Sequence, residues 1–211
     1  MPDAATMSVF VLATLALLVV PGPAVLFIVA RGIDQGRSAA LTSAAGVGVG
    51  SLVHLTAAVL GLSVLLASSA VAFSAVKYLG AAYLVYLGIR TLLTKPERTV
   101  AIDRCPKPLR RLFAEGVIVQ ALNPKIALFF LAFLPQFLDP SRGPVALQTL
   151  ALGAILVGMG MCTDSAYGLV AGSLGGMLRE SRAFASAQRW VAGSVFIGLG
   201  VSAAVTGTPQ E

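Results

Sequence analysis

The chain has 211 residues, 57% of them apolar and 11% charged, with 22 glycines and a net charge of +6. Soluble domains carry about 25% charged residues, and at a mean hydropathy of +0.88 a water-soluble core of this size could not hide the apolar surface. The composition excludes an ordinary soluble domain, and the basic residues lie beside apolar runs, where they read as membrane topology signals rather than a nucleic-acid surface.

The first apolar run spans Met7 to Ala30, and no Lys or Arg precedes it. A cleaved signal peptide would start with a basic region, so this run reads as a retained span. Pro21-Gly22-Pro23 interrupts it. A proline in a helix interior removes a backbone donor and clashes with the preceding turn, at roughly 3 kcal/mol. In lipid the freed carbonyls find no water, so such a break needs protein or a wet cavity beside it. Arg31, Asp34 and Arg37 form a short polar connection, with Gly32 and Gly36 as breakers. No charge follows from Ser38 to Val76, thirty-nine residues. Two spans fit there, Ala40 to Leu66 and Val71 to Leu93, divided at Ala67-Ser68-Ser69-Ala70. Tyr78, Tyr83 and Tyr86 on the second of these read as packing and interface anchors, and Lys77 as a snorkelling residue.

Residues 94–112 hold six basic residues and three prolines and read as a cytoplasmic linker. Span four, Phe113 to Leu138, is interrupted at Asn123-Pro124-Lys125, about one hundred residues after the first break. Asp139 to Pro144 is a turn by composition. Span five covers Leu147 to Ser173, a connection carries Arg179, Glu180, Arg182 and Arg189, and span six covers Trp190 to Val205. The expected fold is therefore one all-α membrane domain, 1–211, of six transmembrane helices, with helices one and four broken at proline. Three spans (1–93) precede the linker and three (113–211) follow it. An odd number per half forces opposite insertion, so related halves form an inverted repeat. Twelve Lys and Arg fall on one side, against Lys77 and Arg142 on the other. The positive-inside rule places the twelve in the cytoplasm and both termini outside.

Ionisable groups at membrane depth cost roughly 2.5 to 3.5 kcal/mol and face the bundle interior. Asp164 in span five is the sharpest: it can exchange a proton or hold a substrate ammonium, against a structural role neutralised by Lys125 or capped by Tyr167. His54 in span two is either a proton relay or a satisfied interhelical hydrogen bond. Lys125 either snorkels or meets an anionic group, and Glu115 is interfacial. Each break starts a half-helix whose unpaired amides suit a carboxylate. Together with Asp164 they would hold both ends of a zwitterion. The candidate site is then Pro21, Gly22, Pro23, His54, Asn123, Pro124, Lys125, Asp164 and Tyr167.

The chain resembles the LysE/RhtB family of bacterial amino-acid exporters. The residues that carry the resemblance are Pro21-Gly22-Pro23, Ala45-Gly46 with His54, Lys77-Tyr78-Leu79-Gly80-Ala81-Ala82-Tyr83-Leu84 with Leu87-Gly88, Leu122-Asn123-Pro124-Lys125, Leu134-Pro135-Gln136-Phe137, and Asp164 with Tyr167. The resemblance implies an inner-membrane exporter of amino acids such as homoserine, threonine, lysine, arginine or leucine, driven by the proton gradient. The expected partners are an amino-acid substrate, protons and lipids, with small-residue faces that permit a homodimer and no cofactor, metal or nucleic acid. Four other classes fit less well. A thiol-disulfide carrier needs two cysteines that meet, and Cys105 and Cys162 lie in a loop and a span. A metal exporter needs more ligands than His54 and Asp164 offer. A membrane hydrolase needs a nucleophile, base and acid set, and the single histidine is inside a span. A scaffold without transport would leave the buried ionisable groups unexplained.

Overall fold

In the computed structural model, residues 3–68 and 106–178 are described, with scattered helical positions between 78 and 93 and between 190 and 201. Spans three and six and residues 94–105 of the linker therefore lie largely outside the described residues. All regular structure among the described residues is helical. Helix α1 runs Ala4–Val19 and α2 Pro23–Ser68. Then come α3, Leu109–Ala121, and α4, Pro124–Leu128, a π-helical turn Phe129–Phe133, short 3-10 turns at Leu134–Phe137 and Pro140–Arg142, and α5, Val145–Leu178. The stretches Pro23–Gly61 and Val145–Leu174 are long and apolar enough to cross a bilayer. The pair Leu109–Ala121 and Pro124–Phe137, bent by 42° at its break, makes a third.

Proline chemistry accounts for the interruptions. Helix α1 stops at Val19, Val20 is extended, and the helix resumes at Pro23, with Leu26 N–H donating to Gly22 O at 3.0 Å. Helix α3 stops at Ala121, and Asn123 caps α4 through its side-chain oxygen, which accepts from Lys125 N–H at 3.1 Å. Pro135 deprives the Leu131 carbonyl of its usual donor. The helix widens there, Leu134 N–H reaching back to Phe129 O, and Gln136 Nε2 donates to Ala132 O at 2.8 Å.

Gly36, at φ 83°, is the one non-helical residue within α2. Ala24 and Ile28 before it pack in one cluster with Ala40, Ala44 and Val47 after it, so the two arms fold onto each other and the chain reverses at Gly36. Gly32, expected to break the helix, stays helical. A Cβ there would lie 3.0 Å from Gly172 N and 3.2 Å from Gly168 O, so its missing side chain serves close approach of α5. The same logic joins α2 to α3: a Cβ at Gly46 would sit 2.2 Å from Phe113 O, one at Gly50 2.6 Å from Val117 O, and one at Gly116 2.6 Å from Ser43 O. Small residues at such a seam bring membrane helices together.

At one end of the bundle Phe10, Phe129, Phe133 and Phe137 form a cluster of tilted and edge-on rings, with centroid separations from 4.7 to 6.3 Å. Beyond it the 139–144 turn is stitched by buried Gln148, whose Nε2 donates to Asp139 O at 2.8 Å and Gly143 O at 3.0 Å. Hydrogen bonds from the Ser141 hydroxyl and amide hold the Asp139 carboxyl below the usual carboxylate range. Arg142 reaches both Asp139, at 3.1 Å, and Asp3, at 3.4 Å. At the other end Lys107 and Arg111 contact Glu115 at 3.0 and 3.1 Å, and Arg37 donates to Ser173 Oγ at 2.9 Å.

Candidate functional site at the two helix breaks

Pro23 has no N–H, and in an unbroken helix its amide would have met the Val19 carbonyl, four residues earlier. The Tyr167 hydroxyl of α5 takes that place, donating to Val19 O at 2.7 Å. The neighbouring Val20 carbonyl, left outside the helix by the extended backbone, accepts from Lys125 Nζ. Lys125 can reach it because residue 22 is glycine: a Cβ there would lie 3.0 Å from the Lys125 Cδ. The side chain that starts at the second break therefore ends on the first.

The second break is held in a matching way. Pro124 deprives the Gln120 carbonyl, again four residues earlier, of its helical donor. That carbonyl accepts from Asn123 N–H at 2.9 Å and lies 2.9 Å from His54 Nε2 on α2. Because its partner is a carbonyl, His54 Nε2 carries a proton. The imidazole lies near-parallel to the Phe130 ring, centroids 6.4 Å apart. Gln120 also organises the layer through its side chain, with Nε2 donating to Ser51 Oγ at 2.8 Å and Oε1 accepting from Asn123 Nδ2 at 2.9 Å. Ser51 passes the chain on to Val47 O at 3.2 Å.

Between the breaks lies a cavity of about 30 Å³, room for about two waters and far too small for an amino acid until its walls part. Its polar wall is Ser51, Gln120, Asn123, Lys125 and Asp164, and its apolar wall includes Leu18, Val25, Ile126, Leu156 and Met161. Lys125 is 5% exposed and Asp164 8%, and their charges act on one another. One small cavity thus offers an ammonium, a carboxylate and the first turn of the helix that starts at Pro23, where Ala24 and Val25 line the wall. The first amides of a helix have no partner within it.

Of the sequence-derived candidates, Gly22, Asn123, Lys125 and Asp164 line this cavity. Pro21, Pro23 and Pro124 make the breaks on either side of it. His54 and Tyr167 stand one layer back, each on a carbonyl that a proline has orphaned. Gln120 and Ser51 were missed. The one signal for Gln120 was its place four residues before Pro124, where a freed carbonyl needs a partner; Ser51 carried none.

Helices long and apolar enough to cross a bilayer, with a polar cavity between them, are the features of an integral membrane protein. Residues 15–207 match the LysE type translocator family, and the chain belongs to that family. It is accordingly a multi-pass membrane transporter of a small-molecule substrate rather than an enzyme. An uncharacterized membrane protein of Pseudomonas aeruginosa is 31% identical over 92% of this chain and 93% of its own length. The leucine efflux protein of Salmonella typhimurium is 29% identical over 72% and 73%, and an uncharacterized membrane protein of Bacillus subtilis is 30% identical over 66% and 70%. No solved structure matches the chain.

Proposed function

We propose that this chain exports amino acids or close derivatives from the cytoplasm by proton antiport, and that the cavity between the two breaks is its transport site. The observation that carries this reading is the convergence of both proline breaks, Lys125 and Asp164 on one small cavity. Lys125 and the first-turn amides at Ala24 and Val25 would take a substrate carboxylate, Asn123 and Pro124 would shape the site, and Asp164 would exchange the proton and face the substrate ammonium. One proton moving down roughly 100 mV supplies about 2.3 kcal/mol. At 1.4 kcal/mol per tenfold, that sustains about a 50-fold gradient of a neutral solute. The relatives named for leucine efflux make a neutral aliphatic amino acid the first substrate to try.

The site also supports an inverted 3+3 repeat, 1–93 and 113–211, joined by the basic linker 94–112. In each half the carbonyl that proline deprives of its helical donor is contacted by a side chain of the other half: Val19 by Tyr167, and Gln120, which also accepts from Asn123 N–H, by His54. A pseudo-twofold axis in the membrane plane produces such reciprocity. The charge bias favours an inner membrane with both termini outside, and exposed small-residue faces permit a homodimer.

The test is efflux from energised membrane vesicles. Asp164→Asn should insert normally and lose proton-coupled export of every amino acid in a panel. Normal export by that variant would overturn the role given to Asp164.

A further inference from the structure

Three glycines line the cavity among the described residues: Gly22, Gly48 and Gly160. At two of them the protein itself fills the space a side chain would take. A Cβ at Gly22 would meet Lys125 Cδ at 3.0 Å, and one at Gly48 would meet Met161 Cγ at 2.9 Å. Gly160 differs: its Cβ would meet only Leu18 Cδ2, at 3.6 Å, an ordinary contact. The fold leaves that space to whatever enters the cavity.

Position 160 is also placed to measure a substrate. It lies four residues before Asp164 and four after Leu156 on α5, so the three share one helix face, at about 6 Å per step along the axis. That step is about the reach of an aliphatic side chain. A molecule whose ammonium faces Asp164 lays its side chain against Gly160, with Leu18 opposite and Leu156 beyond.

We propose that Gly160, with Leu18 facing it, sets the size of the side chain that the transport site admits. This rests on the amino-acid export reading above. A methyl group at 160 takes a large share of so small a cavity without straining the backbone, and removing the Leu18 side chain gives space back.

The experiment is counterflow in proteoliposomes with labelled alanine, threonine, leucine and phenylalanine, using protein shown monodisperse in detergent. Gly160→Ala should lower transport of the largest accepted substrate relative to alanine by about tenfold, the scale of a one-methylene misfit. Leu18→Ala should shift the ratio the other way, and combining the two should bring it back. Gly158→Ala, whose Cβ meets nothing within 4 Å, should leave the ratios unchanged. Equal loss for all four substrates, or shifts in the same direction for both variants, would overturn the proposal. A wild type that moves none of the four would instead overturn the export reading itself.

Discussion

A proline in a membrane helix creates two problems, a missing donor and a deprived acceptor, and at Pro23 and Pro124 the acceptor finds a new partner. Val19 is met by Tyr167 and Gln120 by His54, each partner coming from a different helix. Hydrogen bonds between membrane helices average about 0.6 kcal/mol and reach about 1.7, while an acceptor left unmet costs about 1–3 kcal/mol. Tyr167→Phe removes only the hydroxyl and should therefore cost about 1 kcal/mol in reversible unfolding from micelles. Pro23→Ala returns an amide four residues after Val19. In the Tyr167→Phe background it should recover part of that loss, so the two changes should be non-additive. The straightened helix should transport poorly. Strict additivity in the unfolding data would mean that the Val19 carbonyl is not what Tyr167 stabilises.

At the level of helices, the seams are built from glycines whose missing side chains are occupied by a neighbour's backbone. The Gly46 seam leaves no room for even a methyl, since the nearest obstacle is a carbonyl oxygen at 2.2 Å that cannot rotate away. Gly46→Ala should destabilise α2 against α3 by at least the 1–3 kcal/mol typical of overpacking, whereas Gly61→Ala, with nothing within 4 Å, should be neutral or slightly stabilising. Thermal unfolding in detergent separates the two, and equal shifts would contradict the close seam. The same contrast explains what was legible in the sequence. Proline acts through its own backbone, so both breaks and the turn at 139–144 could be read locally. Ionisable residues in apolar runs are rare enough to single out Asp164 and Lys125. Glycine carries no such mark: Gly36 turns the chain and Gly32 packs it, and only the partner helix tells them apart. Gln120 was invisible for a related reason, because one side-chain amide in a helix looks alike whether it faces water or ties Ser51 to Asn123.

At the scale of the molecule, charge among the described residues divides by end. Arg31, Arg37, Lys107, Arg110 and Arg111 belong to the end where Glu115 and Ser173 are engaged, whereas Asp3, Asp139 and Arg142 meet at the other. Such asymmetry orients a protein during insertion, and it predicts which end water-borne reagents reach first. The native thiols must first be removed, since Cys162 is exposed. In a Cys105→Ser, Cys162→Ala background, Ser141→Cys should react with a membrane-impermeant maleimide on intact cells, while Arg110→Cys should react only after permeabilisation. The cysteine-free parent should transport at the wild-type rate, because no step assigned to the cavity uses sulfur; loss of transport would revive a thiol-disulfide mechanism. Labelling of Arg110→Cys from outside would invert the protein. The linker would then face the exterior, and the Asp3, Asp139 and Arg142 cluster the cytoplasm. The direction of net transport would stay outward, because in an antiport cycle a proton entering down its gradient is exchanged for a substrate that leaves, whichever way the protein faces.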